Sequence, residues 1–115
     1  MKKLGIALIV AALVFGLIQC DLFTKKVEYS VSSDGSGSVS IRYQDSKGQL
    51  VDASAVPPWS TSFDLASTDR PFLAFIEVTN FDASTVYISI LQDNAIVSTG
   101  QIIGVGSVEV YYIVE

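Results

Sequence analysis

An all-β, antiparallel β-sandwich is the fold that this sequence predicts, and three observations carry the expectation. From residue 27 onward, apolar side chains recur at every second position, the period of a strand with one buried face. Clusters of Gly, Ser, Asp, Asn and Pro break that alternation at roughly 8–12-residue intervals. After residue 18 no stretch has helical periodicity. Together they predict seven to eight short strands in an immunoglobulin-like layout, with a small closed barrel as the alternative.

The elements follow in order. Val27, Tyr29 and Val31 alternate with Glu28 and Ser30, and Val39, Ile41 and Tyr43 alternate with Ser40 and Arg42. The Gly- and Ser-rich stretch 32–37 between them is expected to be a hairpin turn. Residues 45–48 form the next turn, and residues 50–55 a short strand. Val56, Pro57 and Pro58 cannot sit inside a sheet, because proline lacks an N–H, so an edge or a crossover is expected there. Trp59 follows, then a short strand over 60–65 and a turn over 67–71. Residues 72–79 and 85–92 alternate strongly, separated by a turn over 80–84. Asp93-Asn94 is a two-residue hairpin signal, with a return strand over 95–99. Residues 105–114 close the domain, and no internal repeat is evident.

Ahead of this domain stands a different segment. Lys2 and Lys3 precede 15 apolar residues, 4–18, followed by Gln19 and the chain's single cysteine, Cys20. A basic start, an apolar run and a Cys at its end read as a bacterial lipoprotein signal peptide, residues 1–19, with Cys20 as the acylated residue. Leu17-Ile18-Gln19-Cys20 is a relaxed lipobox, since Gln stands where a small residue is usual. Two or more lipid chains hold a protein firmly where one is marginal. An uncleaved transmembrane helix is one alternative, although a span needs about 20 apolar residues. An ordinary signal peptide cut nearby is the other. All three put the rest of the chain outside the cytoplasm, and the first two fix it to the cell membrane or outer membrane. Residues 20–26 are then a short lipidated tether, and residues 27–115 the β-sandwich domain. Lys25 and Lys26 are read as a solvated part of the tether or as contacts to headgroups.

Residues 20–115 carry five basic and twelve acidic side chains, a net charge of −7. Such a domain repels phosphate backbones, so no nucleic-acid partner is expected. A single cysteine permits no internal disulfide, and packing alone must hold the core.

Little in the sequence points to catalysis. Histidine, the commonest general base and metal ligand, is absent. Cys20 is committed to the anchor, and there is no Gly-x-Ser-x-Gly elbow. Asp34, Asp45 and Asp93 each stand alone in a turn, whereas a Ca2+ loop needs several carboxylates on one segment; Asx-type turns account for them. No enzyme activity, cofactor or metal is expected. Two aromatic residues are candidates for partner binding. Trp59 is either an anchor packed under Pro57 and Pro58 or an exposed contact. Tyr111 and Tyr112 must point to opposite faces of their strand, and Tyr111 is taken as the outward one. Phe63 and Phe75 raise the same question.

The order Val-Pro-Pro-Trp-Ser-Thr at 56–61, a long strand ending at Asn80, and Asp93-Asn94 followed by Ala95-Ile96-Val97 resembles the MmpS family. These are small extracytoplasmic partners of mycobacterial MmpL transporters. Residues 27–31 and 38–43 are similar to that family's first two strands. The cysteine pair that many members carry is missing, and Ile88 stands nearest the first of them, so packing would replace the bridge. The resemblance implies a β-sandwich that assists a membrane transporter. The expected function is a membrane-anchored, non-catalytic interaction module, accessory to a transporter or envelope complex. A carrier of a small apolar ligand and a surface-exposed structural or adhesive lipoprotein are the alternatives. A free edge near residues 50–55 would allow two copies to pair.

Overall fold

The computed structural model describes residues 24–115, so the expected signal segment and Cys20 lie outside the described residues. Period-two alternation becomes eight strands: β1 Lys25–Ser33, β2 Val39–Gln44, β3 Leu50–Ala55, β4 Trp59–Leu65, β5 Phe72–Asn80, β6 Thr85–Gln92, β7 Ala95–Ile103 and β8 Gly106–Val114. A single 3-10 turn, Ser67–Asp69, precedes β5. Among the described residues, no helix is long and apolar enough to cross a membrane.

The strands form two four-stranded antiparallel sheets, β4-β1-β6-β7 and β3-β2-β5-β8. Only β2–β3 and β6–β7 are hairpins; the other five connections cross between sheets. The stretch 32–37 is therefore not a hairpin turn. β1 pairs with β4 and β6, and the chain leaves it for the opposite sheet. Gly and Ser permit a sharp change of direction but do not say which sheet receives the next strand. Asp93-Asn94 does make the expected two-residue hairpin, with both residues at positive φ (51° and 69°). The strand after it runs to Ile103 rather than Thr99, and β1 begins at Lys25, inside what was expected to be tether. The Pro57-Pro58 bond is cis and lies in a crossover, as proline chemistry demands.

Moving every strand number by four, cyclically, converts one sheet into the other. The repeat that the residues do not display is thus present in the topology. Matching inward positions sets Val27, Tyr29 and Val31 of β1 against Ala74, Ile76 and Val78 of β5, all fully buried. Aromatic bulk from one half meets small aliphatic bulk from the other, which complementary filling of a shared core favours and which erases similarity.

The core joins both sheets. Val27, Tyr29, Val31, Val86, Ile88 and Ile90 face Val39, Ile41, Ala74, Ile76 and Val78. An aromatic chain fills the flank beneath β4: Trp59–Tyr43, Tyr43–Tyr29, Tyr29–Phe63 and Phe63–Phe72, with ring centres 5.4–5.8 Å apart. On the opposite flank Gly100 lets β7 and β8 close, because a Cβ there would stand 2.5 Å from Val110 Cγ2. Ile88 is 1% exposed and packs within the core.

The Tyr29 hydroxyl is buried with both hydrogen-bond roles used. It donates to the Gln44 carbonyl (2.7 Å) and accepts from the Phe75 N–H (3.2 Å). The β2–β5 ladder stops at Tyr43–Ile76, one step before those groups, and a hydroxyl from the opposite sheet joins them instead. Burial raises its pKa above the ordinary 10.0, despite the opposing pull of the Phe75 N–H. Tyr29→Phe keeps the ring but orphans a buried carbonyl and an N–H. It is expected to cost about 2 kcal/mol in urea unfolding and about 10 °C of melting temperature. Because the folded pKa is raised, the hydroxyl's share of stability is present below pH 10 and is lost as pH climbs above it. Tyr29→Phe should lack that share of the alkaline loss.

Candidate functional site

The sandwich has two chemically distinct ends. One carries the start of β1, the 45–49 and 93–94 hairpins and the 66–71 connection, and is called the tether end after the tether expected at residues 20–26. The other carries the crossovers 34–38, 56–58, 81–84 and 104–105. Four of the five basic residues in 24–115, Lys25, Lys26, Lys47 and Arg70, lie at the tether end. None lies at the crossover end.

At the crossover end, Asn80 is buried, 1% exposed, the one buried polar side chain among the described residues besides the Tyr29 hydroxyl. Its Nδ2 donates to the carbonyls of Asp82 (3.1 Å), Ser84 (3.0 Å) and Gly104 (2.9 Å), tying two loops to the end of β5. Gly104 N–H returns to the Ser84 carbonyl at 3.0 Å. Asp34 Oδ1 accepts from the Thr85 N–H at 2.8 Å and joins the first crossover to the same group. The approach is close: a Cβ on Gly35 would stand 2.5 Å from Ser84 Cβ, and one on Gly37 would collide with Asp82 Oδ2. This end is braced, yet it carries the two most exposed large apolar side chains among the described residues, Ile103 (79%) and Val105 (74%), with Phe81 (64%) beside them. Val56 is exposed at the same end. Burying one such side chain is worth about 1.5–3 kcal/mol, so leaving three in water on a fixed support points to use by a partner.

A second apolar surface lies on the outer face of β5 and β8, in the half nearer the tether. Leu73 stands opposite Ile113, and Phe75 opposite Tyr111. In the other half Glu77 stands opposite Glu109, and Thr79 meets Ser107 at 3.3 Å. Leu73, Tyr111 and Ile113 are exposed and Phe75 is half-buried. Tyr111 and Ile113 also border a cleft of about 520 Å³ with Lys25, Gln92, Tyr112 and Glu115. Lys25 Nζ donates to the Glu115 main-chain oxygen at 2.8 Å.

The two partner-binding candidates separate. Trp59 points inward and stacks on Tyr43, which makes it a packing residue. Tyr111 points outward and Tyr112 inward. Phe63 joins the interior rings, whereas Phe75 lies on the outer face. Cys20 lies outside the described residues. Sequence reasoning missed Phe81, Ile103 and Val105; the only local signal was apolar residues beside the turn residues Asn80 and Gly104.

Among the described residues there is no cluster of three or more His, Cys, Asp or Glu able to hold a metal. Asp45 accepts from the Lys47 and Gln49 N–H groups, both at 2.9 Å, and Asp93 from the Lys26 N–H at 2.9 Å. Their carboxylates are occupied in shaping turns and strand ends. Asp52 pairs with Arg42 across strands at 2.8 Å, an exposed bridge of small worth.

Asp82 reports on the loop end. The Ser84 hydroxyl and then the Ser84 N–H donate to its carboxylate and hold its pKa below the ordinary 3.8. Its folded pKa being lowered, its contribution is present at neutral pH and is lost as pH falls through that value. Ser84→Ala should move the Asp82 titration, followed by carboxyl-carbon NMR, upward toward 3.8. An unmoved titration would show that the hydroxyl is not the cause.

No family model matches this chain, and no curated protein matches it.

Proposed function

We propose that this chain is a membrane-tethered, non-enzymatic interaction module whose crossover end engages an envelope protein. The observation that carries the reading is the braced apolar loop end, where Phe81, Ile103 and Val105 are held out into solvent opposite the tether. Binding surfaces concentrate on loops fixed to a rigid scaffold, and a preorganised surface loses little entropy on association. Residues 1–19 are taken as a lipoprotein signal peptide and Cys20 as the acylated anchor in the cell membrane or outer membrane; the same segment kept as an anchor helix would serve equally. The layout is taken as immunoglobulin-like, on the strength of two four-stranded antiparallel sheets joined by crossovers. The resemblance to the MmpS family makes a membrane transporter the favoured partner. The cleft beside Tyr111 favours a second reading, a carrier of a small apolar ligand. It ranks lower because side chains from both sheets fill the space between them.

The test is site-specific photo-crosslinking of the full-length protein in its native membrane. A photoreactive residue at Phe81 or Val105 is expected to capture one integral membrane protein. The same residue at Tyr87, on the outer face of the first sheet, should capture nothing. Phe81→Ser combined with Val105→Ser should lower co-purification of that protein by at least about tenfold, the loss expected for hot-spot side chains. Equal capture at Tyr87, or none at Phe81 and Val105, would refute the reading.

A further inference from the structure

The loop end leaves the second apolar surface without a role. We propose that the outer face of β5 and β8 near the tether, centred on Tyr111, Ile113, Leu73 and Phe75, lies against the lipid bilayer. The inference rests on the tethered reading, and its occupant follows from where the chain outside the described residues ends. Twenty-three residues precede Thr24, and the apolar run ends at residue 18. From Cys20 to Lys25 the chain reaches about 16 Å at most. The domain is therefore held within a few residues' length of whatever the anchor occupies.

That reach suits this face. β1, which receives the tether, belongs to the other sheet, and stacked sheets lie about 10 Å apart. With the β5–β8 face down, the chain from Lys25 needs to descend about one sheet spacing plus a side chain, which the tether spans. With the opposite face down, the tether-side surface meeting lipid would present Leu91 and Ile96 crowded by the charged Lys26, Glu28 and Asp64.

The side chains suit a bilayer interface. Aromatic residues with a polar tip are favoured at the headgroup level, and Tyr111 supplies one, 64% exposed, between Phe75 and the aliphatic Ile113. Glu77 and Glu109 stand in the far half of this face, away from the tether, and the acid at the near edge, Glu115, has its main-chain oxygen held by Lys25 (2.8 Å) and Arg70 (3.2 Å). The domain would accordingly rest tilted, tether end down, with its loop end raised toward a partner. The lowered end is a rim of mixed charge, with Lys25, Lys47 and Arg70 beside Asp45, Asp69 and Asp93, and its cations are the groups that can meet headgroup phosphates.

The experiment uses the full chain in vesicles of phosphatidylcholine, with brominated phosphatidylcholine as the quencher. Tyr111→Trp and Tyr87→Trp are compared, with Trp59 kept in both as a common inward-facing background. Tyr111→Trp should lose most of its added emission on brominated vesicles, and Tyr87→Trp almost none. Retained circular dichroism confirms that each variant is folded; should Tyr111→Trp fail to fold, Ile113→Trp replaces it. Flotation separates the two levels of the argument. A chain that floats, with position 111 unquenched, overturns the docking face and leaves the tether standing. A chain that does not float overturns both. If position 111 is shielded but unquenched, and copies cross-link through it, a second copy covers the face and the inference fails.

Discussion

One phenolic hydroxyl ties the two sheets together. Tyr29 belongs to a central strand of the first sheet, yet both partners of its oxygen belong to the second. Hydrophobic contact between sheets is non-directional and would tolerate small slips. A hydroxyl that must meet a carbonyl and an N–H together tolerates none, since an orphaned buried group costs about as much as several packed methylenes gain. Those two groups lie where the β2–β5 ladder ends. Beyond that point β5 pairs regularly with β8 alone, from Phe75–Tyr111 to Phe72–Val114. The aromatic chain from Trp59 to Phe72 is built around the same ring, so the flank beneath β4 and the tether-end surface share one fixed point.

Local chemistry was legible in the sequence and distant chemistry was not. Strand positions and inward faces follow from period-two alternation, because burial on one face of a pleated strand imposes that period whatever the partner is. Asp93-Asn94 was readable because a two-residue hairpin fixes its own backbone angles. The stretch at 32–37 misled because turn residues encode a change of direction and not a destination; β1 pairs with strands that begin at residues 59 and 85. For Trp59 the sequence left two readings open, an anchor packed under two prolines or an exposed contact. Its register opposite Val31 turns it inward, and no local pattern reveals a register set by a strand 28 residues away. Tyr111 could be taken as outward because alternation alone decides between neighbours. Phe81, Ile103 and Val105 escaped notice because exposure at a loop tip depends on which loops meet there.

The topological repeat explains part of this uneven legibility. Two four-stranded halves related by a cyclic shift of four would be expected to look alike, but their inward residues fill one common volume. Where β1 offers Tyr29, β5 offers Ile76, and where β1 offers Val27, β5 offers Ala74. Complementary bulk, not similar bulk, is what close packing selects. The crossover end diverges for another reason: β5 ends in Asn80, whose amide collects three carbonyls, while β1 at the matching position ends in Ser33, whose hydroxyl supports the Gly35 N–H. The half that carries Asn80 is also the half whose loops present the exposed apolar side chains.

This asymmetry gives the two ends separate physical jobs. Bracing a loop by a buried amide removes conformational freedom before any partner arrives, so exposed Phe81, Ile103 and Val105 need not be ordered on binding. At the tether end the requirement is reversed. Under the proposed tethering the anchor would already confine the domain, and a weak apolar face would suffice to choose its orientation, because attachment removes most of the entropy cost of association. A surface too small to bind lipid from solution would then become effective. The placement of Glu77 and Glu109 sets how far that face extends along the sheet. Their like charges stand directly opposite one another, an arrangement that weakens a strand pair and that high-dielectric water screens best. In the proposed docking, keeping that pair hydrated would hold the far half of the sheet, and the loop end beyond it, off the bilayer.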